Sequence, residues 1–342
     1  MSVTARDIAR ELGLSPAAVS MALNNRPGVS AATRKLVYDT AERLGYDLSR
    51  HLTRTSGIGS IYFICVQTSS AIFSYAPIFD EILRGAVQEC QASPYRMKVQ
   101  QFYVQQDTLE QQISDLRVSD CAGIILLGTE MNQDVALAFL SLRVPVIVVD
   151  SNVEPLDCSC VVINNTQGAY LATDYLISRR LTQPGYLKSF VPLRNFDERW
   201  EGFQKALRAN GMHIAHSIVH TLAPTIEGAM TEMLEVLDRG DPLANCYFAE
   251  NDLIAIGAMK AFKQRGYRIP EDIAIVGFDN ISEGQVMEPA LTTVNIPRTY
   301  MGRVAVRCLI NAIQDGVPHH IKVEVSTDLV IRSSVVRSSH TP

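Results

Sequence analysis

The sequence lacks several features that would place it in common protein classes. No apolar run in its 342 residues reaches the roughly eighteen residues that a membrane-spanning helix needs, and its start has no basic-then-apolar signal pattern. Its seven cysteines are an odd number without a repeated Cys-x-x-Cys spacing, which favours reduced core thiols over disulfides. We therefore expect a cytoplasmic protein with no membrane contact.

Signatures of common enzymes are also missing. The sequence has no Gly-x-Ser-x-Gly elbow, no phosphate-binding loop and no Gly-x-Gly-x-x-Gly after a strand, so hydrolases, kinases and dinucleotide-dependent enzymes lack their usual motifs here. His213, His216 and His220 have a metal-like spacing, but they fall in a predicted loop and strand rather than on one helical face. A solvated surface is therefore favoured over a zinc site. We expect no enzyme activity, no cofactor and no metal.

What the sequence does contain is a pattern of short helices in its first 46 residues. Thr4 and Asp7 form a Thr-x-x-Asp box in which the Thr4 hydroxyl would cap the first helix, and Gly13 would end that helix. Ser15 as cap and Pro16 at the first helical position then predict a second helix after a very short turn. This arrangement is the helix-turn-helix pattern, in which the second helix enters the major groove of DNA.

The apolar positions predict which faces of these helices are buried. In the second helix, which should run to about residue 24, Val19, Ala22 and Leu23 would face the core and leave the opposite face for DNA. A third helix should follow Ser30 and run over residues 31–44. Its expected inward side chains are Leu36, Val37, Ala41 and Leu44.

An ordinary three-helix bundle would show similar caps and stripes, so charge is needed to decide between the two interpretations. Residues 1–56 carry eight basic and five acidic side chains, a net charge of +3, whereas the whole chain carries −5 and the remainder therefore −8. A basic end on an acidic body suits phosphate contact at that end only. The charge distribution thus favours DNA binding.

The stretches "DIA", "GLSPAAVSMALNNRPGVS", "TRKLV" and "AERLGY" occur in an order and spacing that resemble the headpiece of the lactose repressor and galactose repressor family of bacterial transcription factors. The resemblance continues through almost the whole chain. It implies a homodimeric repressor that binds a two-fold symmetric operator in double-stranded DNA. The residues expected to contact DNA are Thr4, Ser15, Pro16, Ala17, Ser20, Met21, Asn24, Asn25, Arg26 and Leu52.

The chain also departs from the family pattern. Pro16, Ala17 and Met21 stand near positions where the family usually has polar base-reading side chains, so contacts with thymine methyl groups should contribute more here. The segment between Tyr46 and Ile61 is about three residues shorter than in typical members. In the family this segment forms a hinge helix whose leucine wedges into the minor groove, and Leu52 matches that wedge. The operator sequence therefore cannot be transferred from relatives.

After residue 60, apolar runs typical of buried parallel strands alternate with amphipathic helical stretches, which predicts an α/β core of doubly wound parallel sheets. The resemblance implies that this core is two-lobed and similar to a periplasmic binding protein, with three crossings of the chain, the second near Pro289 to Asn295. The predicted domains are a headpiece (1–46), a hinge or linker (47–59) and an effector-binding and dimerisation core (60–342). That core would comprise an N-lobe (about 60–155 plus 293–324) and a C-lobe (about 160–289 plus 326–342).

Polar residues at strand ends are the candidates for binding a small ligand. Asp150, Asn251 and Asp279 each follow a predicted strand, and ligands of doubly wound sheets lie beyond the carboxyl ends of the strands. Each of them could instead cap the next helix, Asn251 in particular. The resemblance matches Arg199 in an Arg-x-x-Gly-Phe motif to the family's ligand arginine. The full candidate effector set is Phe79, Glu130, Asp150, Phe196, Arg199, Phe248, Asn251 and Asp279.

These observations predict a repressor whose operator binding is controlled by a small polar effector in a cleft between two lobes. Acids, amides, an arginine and aromatics favour a sugar or sugar derivative, although related pockets also accept nucleobases and phosphorylated ligands. The alternative is a solute-binding module with a vestigial headpiece.

Overall fold

The headpiece forms three helices, α1 (Ala5–Leu12), α2 (Pro16–Leu23) and α3 (Ala31–Arg43). In the computed structural model the described residues are 3–23, 28–46, 59–67, 76–104, 106–117, 119–142, 144–154, 156–316 and 319–337. Gly13 ends α1 with a φ of 63°, a left-handed conformation that glycine adopts without strain. The short turn predicted between the first two helices is therefore present.

The headpiece has a hydrophobic core of its own. Ile8 from α1, Val19 from α2 and Val37 from α3 are fully buried in it. The prediction that Leu36 also faces inward was wrong, because 51% of it is exposed. Val37 and Ala41 lie one helical turn apart and define the buried face of α3, whereas Leu36 is displaced by one position around the helix.

The caps of the headpiece helices are side chains, as expected, although one differs in detail. The Asp7 carboxylate accepts hydrogen bonds from the Thr4 amide (2.9 Å) and from the Thr4 hydroxyl (2.6 Å), so Thr4 is the donor. The Ser15 hydroxyl oxygen accepts from the Ala18 amide at 3.1 Å and caps α2. The start of each helix is thus fixed by a short polar side chain.

The first of two six-stranded sheets has the order β11-β5-β4-β3-β1-β2. Strands β2 and β3 flank β1, β4 lies beside β3, and β5 lies beside β4, each pair being parallel. The strands of this sheet are β1 (Ser60–Gln67), β2 (Arg96–Tyr103), β3 (Cys121–Leu127), β4 (Val146–Val149), β5 (Ser159–Ile163) and β11 (Lys322–Val325).

Helices connect these strands. They are α4 (Ala76–Cys90), α5 (Gln106–Arg117) and α6 (Gln133–Leu140), and α12 (Arg298–Asp315) joins them near the end of the chain. Two glycines let α4 and α12 approach closely, because a Cβ at Gly85 would overlap the Thr299 carbonyl and one at Gly302 would overlap the Ile82 carbonyl.

The second sheet has the order β12-β10-β9-β8-β6-β7. Its strand pairs are parallel except for β10 and β12, which are antiparallel. Its strands are β6 (Gly185–Ser189), β7 (Val219–Leu222), β8 (Cys246–Ala249), β9 (Ala274–Asp279), β10 (Thr292–Asn295) and β12 (Asp328–Val330). Its helices are α7 (Asn165–Arg180), α8 (Arg194–Ala209), α9 (Ile226–Arg239), α10 (Asp252–Gln264) and α11 (Ser282–Val286), with a single 3₁₀ turn at Ile214–His216.

The two sheets belong to two compact units. Residues 76–78 are grouped with the second unit, and after Phe79 the chain passes between the units at Val161–Val162, at Arg298–Thr299 and at Val323–Glu324. The second passage was predicted near residues 289–295, and this was wrong. Strand β10 pairs with β9 through Thr292 to Asn295, so the chain remains in the second unit until Arg298. Among the described residues, no helix is long and apolar enough to span a membrane.

Candidate ligand and DNA interfaces

The outward face of α2 carries the predicted base-reading residues that fall within the described part of the headpiece. Pro16, Ala17 and Ser20 are exposed, and Met21 is half-buried. The three residues predicted to face inward from α2 are buried. Ser15 is exposed and caps α2, and Thr4 is exposed at the start of α1. The other predicted contacts, Asn24, Asn25, Arg26 and Leu52, lie outside the described residues.

Arg199 is the centre of a buried polar network in the second unit. It lies in the second turn of α8, and only 3% of the residue is exposed. Its Nε donates to the Asn165 side-chain oxygen at 3.0 Å, and its Nη1 donates to the backbone carbonyl of Glu250. Its Nη2 lies 3.4 Å from Oδ1 of Asp279. A planar guanidinium can satisfy three acceptors in this way because its donors point in fixed directions.

Asp279 ends β9 and meets two arginines. Its Oδ1 lies 3.4 Å from Nη2 of Arg199 and 3.4 Å from Nη2 of Arg298. The Nη1 of Arg298 also donates to the backbone carbonyl of Asp279 at 2.7 Å. Asp279 has a φ of 117° and the next residue, Asn280, a φ of 55°, both unusual for residues with a side chain. Backbone strain of this kind is concentrated at functional sites.

Aromatic rings border the Arg199 guanidinium, but not all the predicted ones. The guanidinium carbon lies 3.8 Å from the centroid of the Phe278 ring and 5.4 Å from that of Phe196. The ligand contact of Phe248 stays a prediction, and in the structure Phe248 is fully buried. Its ring packs against those of Tyr186 and Phe203, so it is a core residue.

Asn251 caps a helix, which is the alternative to ligand binding that the sequence also suggested. Its side-chain oxygen accepts from the Ile254 amide at 2.9 Å and caps α10. The residues on either side, Glu250 and Asp252, are completely buried. Burial raises the pKa of the Glu250 carboxyl to about 7, and burial together with the nearby charge of Asp279 raises the pKa of Asp252 to about 7.

In the first unit, Asp150 follows β4 as predicted and has a φ of 64°. Its carboxylate accepts a hydrogen bond of 2.6 Å from the hydroxyl of Thr129. Glu130, the next residue after Thr129, and Phe79 on α4 are both half-buried. Strand-end acids with a left-handed backbone thus occur in both units, at Asp150 and at Asp279.

Several residues of the Arg199 network were not foreseen. Asn165 is buried, and its amide nitrogen donates to Asn195 at 3.2 Å and to Glu198 at 2.9 Å. The rule that identified Asp150 could have found Asn165, because it follows strand β5 two residues after the strand ends. Arg298 gave no such signal, since its partner Asp279 is nineteen residues away in the sequence.

The three histidines do not form a metal centre. His213 caps the short 3₁₀ turn by accepting from the Ala215 amide at 3.2 Å. His220 is buried and lies 3.3 Å from the Tyr247 hydroxyl, which corrects the expectation of a solvated surface for this residue. Within the described ranges, no group of three or more His, Cys, Asp or Glu side chains could hold a metal ion.

Comparison with known proteins agrees with this arrangement of a headpiece and two units. The family model of bacterial regulatory proteins of the lacI family matches residues 4–48, and a periplasmic binding protein-like domain matches residues 173–335. The chain belongs to the lacI family of bacterial regulatory proteins. As a member of the lacI family it is a DNA-binding transcriptional repressor and not an enzyme.

Relatives in this family match nearly the whole chain. The HTH-type transcriptional repressor PurR of Pasteurella multocida strain Pm70 is 29% identical over 335 residues, covering 97% of this chain and 98% of its own. The PurR repressor of Mannheimia succiniciproducens is 26% identical over 341 residues, with the same coverage. Because these repressors match the headpiece and the core together, a solute-binding module with a vestigial headpiece has no support among them.

Solved structures of the lacI family have the same fold. A complex of the transcriptional regulator CelR with cellobiose has a TM-score of 0.70 at 25% identity, covering 97% of this chain and 99% of its own. The lac repressor dimer bound to operator and the anti-inducer ONPF has a TM-score of 0.68 at 21% identity, covering 98% and 99%. The predicted helix-turn-helix headpiece and parallel α/β core are therefore confirmed.

Proposed function

We propose that this lacI-family repressor binds a two-fold symmetric operator as a homodimer, and that a small carbohydrate controls this binding. The observation that carries the effector part of the proposal is the Arg199 and Asp279 pair at the carboxyl end of β9. In parallel sheets, ligands bind beyond this end of the strands. The exposed face of α2 supports the operator part.

The charges around Asp279 suit a ligand with hydroxyl groups. Arg199 and Arg298 both pair with the same carboxylate oxygen, Oδ1. Among the residues that the structure describes, no hydrogen bond to the other oxygen is found, which leaves it to accept from a ligand hydroxyl. Phe196, beside the guanidinium, supplies an apolar surface of the kind that packs against a sugar ring. The cellobiose bound to CelR supports the same ligand class.

The strain at Asp150 in the first unit, and separately at Asp279 in the second, supports each of them as a candidate effector-binding residue. Each left-handed non-glycine residue costs on the order of 1–3 kcal/mol and persists only where its surroundings hold it in place. Asp150 is held by Thr129, and Asp279 by two arginines. Pre-formed acceptors reduce the entropy lost when a ligand binds. Effector and operator binding would then be linked reciprocally, each changing the affinity for the other.

A thermal-shift screen tests the effector class, because a compound that binds only the native state raises Tm. The compounds are cellobiose, ribose, glucose 6-phosphate, guanine and hypoxanthine. We expect a sugar to raise the Tm of the wild type and to lose this effect in Arg199→Ala. Arg239→Ala is the matched control, because Arg239 is exposed and pairs with Glu235 and Asp241 at the surface. A shift produced only by the purines would contradict the carbohydrate assignment.

The operator part is tested by sedimentation with and without DNA and by removal of residues 1–56. We expect a dimer at working concentrations, and we expect the truncated chain to lose specific DNA binding and to keep the thermal shift with the sugar. The separate hydrophobic core of the headpiece makes this separation physically reasonable. A monomer on DNA, or the loss of both activities on truncation, would contradict the proposal.

A further inference from the structure

Arg298 holds both the backbone and the side chain of Asp279. Its Nη1 donates to the Asp279 carbonyl at 2.7 Å, while its Nη2 lies 3.4 Å from the Asp279 carboxylate. The Arg298 side chain is almost completely buried, with 5% of it exposed. A buried guanidinium that makes a charge-assisted hydrogen bond to a backbone carbonyl restrains the peptide unit as well as the charge.

The backbone that Arg298 restrains is strained. Asp279 and Asn280 are consecutive non-glycine residues with positive φ, at 117° and 55°. Such a turn keeps its conformation only when contacts with neighbouring groups hold the strained backbone in place. The contact with Arg298 is therefore part of what keeps Asp279 at the end of β9 in the conformation that meets Arg199.

Other residues hold the remainder of this turn but do not bond to Asp279. The Ile281 amide donates to the Asp252 carboxylate at 2.9 Å, and Nη2 of Arg332 donates to the Asn280 side-chain oxygen at 2.6 Å. Arg332 also donates to the Leu291 carbonyl at 2.7 Å. The buried Arg298 and the half-buried Arg332 thus support neighbouring residues of one turn, and Arg298 is the one of the two that bonds to Asp279.

We propose that Arg298 is a positioning residue of the effector site, which fixes Asp279 for ligand binding without touching the ligand itself. The inference rests on the proposed role of Arg199 and Asp279 in binding a sugar. Arg298 is also the last residue of the second unit before the chain passes to the first, and the first residue of α12. The residue that positions Asp279 therefore lies where the chain passes from the second unit to the first.

The test compares three variants of the full-length protein. Arg298→Met removes both contacts with Asp279. Arg298→Lys keeps a positive charge and a donor that can reach the carbonyl. Arg332→Met removes an arginine that contacts the same turn through Asn280 but does not bond to Asp279. The probes are the five compounds of the screen, titrated while the fluorescence of Trp200 is followed. Trp200 is the single tryptophan of the chain and adjoins Arg199.

We expect Arg298→Met to weaken binding of the strongest-binding sugar by about tenfold or more, equivalent to about 1.4 kcal/mol. Arg298→Lys should recover most of that affinity, and Arg332→Met should lower Tm with little change in affinity. If Arg298→Met binds like the wild type while Arg199→Ala does not bind, the inference is wrong and the proposed site stands. If Arg199→Ala also binds like the wild type, or if no sugar binds the wild type, the proposed function fails and the inference with it. An equal loss of ligand affinity in Arg298→Met and Arg332→Met would show that Arg298 has a purely structural role and would overturn the inference.

Discussion

The buried carboxylate of Asp252 accepts a hydrogen bond of 2.6 Å from the hydroxyl of Thr293. Its other oxygen accepts from the Ile281 amide. This single side chain at the start of α10 thereby joins strand β10 to the turn that contains Asp279. A carboxyl group that is completely buried at such a junction makes the stability of the second unit sensitive to pH.

We predict that the thermal stability of the protein falls as pH rises from about 4 to about 7. The pKa of Asp252 is raised from 3.8 to about 7 and that of Glu250 from 4.5 to about 7, mainly because burial disfavours the charged form. At pH values between the unfolded-state and folded-state pKa values of these two carboxyl groups, the folded state binds more protons than the unfolded state. The free energy of unfolding therefore decreases with increasing pH. Tm measured by calorimetry across this range checks the direction.

Isosteric amides provide the control for this prediction. In Asp252→Asn the amide oxygen can still accept from Ile281 and the nitrogen can donate to the Thr293 hydroxyl oxygen; in Glu250→Gln, Ser189 and Tyr186 can be satisfied in the same way. The double variant should show a flatter pH profile than the wild type. A profile that keeps its slope would mean that other groups cause it.

A second prediction concerns the space beside Asp252. A Cβ at Gly277 in β9 would overlap the Asp252 carboxylate. Gly277→Ala should therefore displace this buried group and lower the free energy of unfolding by about 1–3 kcal/mol, as other overpacked substitutions do. Urea titration measures this loss.

Gly284→Ala is the matched control. Gly284 lies in α11, where a Cβ would meet the side chain of Leu291 at 3.4 Å, an ordinary contact. This variant should be as stable as the wild type or slightly more stable, because alanine favours helix over glycine. If both variants lose the same free energy of unfolding, the contact with Asp252 is not what makes Gly277 necessary.

The positions of functional residues could be predicted where they depend on local pattern. Asp150 and Asp279 follow apolar runs, and the ends of parallel strands are where such side chains collect. The alternation of strands and helices fixed the class of the core for the same reason. The resemblance to a known family added Arg199, whose partners Asn165 and Asp279 are 34 and 80 residues away in the sequence.

Residues whose surroundings come from distant parts of the chain could not be predicted in this way. The resemblance places an aromatic pocket position at Phe248, but this residue lies within β8, where rings from β6 and α8 enclose it. Leu36 has the residue type of a core position, and its exposure is decided by where α1 and α2 pack on α3. The role of Arg298 depends on its contact with Asp279 at the end of β9, which lies nineteen residues earlier in the chain.

A third prediction distinguishes a core role of Phe248 from its predicted contact with the ligand. Phe248→Leu should lower the free energy of unfolding by about 1–2 kcal/mol, because it removes buried apolar volume from the cluster with Tyr186 and Phe203. It should leave the affinity for the sugar unchanged when followed by Trp200 fluorescence. Phe196→Leu is the comparison, because Phe196 lies beside the Arg199 guanidinium and should affect ligand affinity. A loss of affinity in Phe248→Leu alone would instead support the predicted contact between Phe248 and the ligand.

The last prediction concerns base readout by α2. Ser20 is exposed, between Val19, which is buried, and Met21, which is half-buried. A hydroxyl in this position can hydrogen-bond to a base edge in the major groove. Ser20→Ala should therefore lower the affinity for DNA selected by the wild type from a random pool by about 1–3 kcal/mol. It should also reduce discrimination at one base pair of each half-site and leave the salt dependence unchanged, since no phosphate contact is lost. Ser178→Ala on α7, another exposed helical serine, serves as the control. A uniform loss of affinity for all DNA sequences with a smaller salt dependence would instead assign Ser20 to the phosphate backbone.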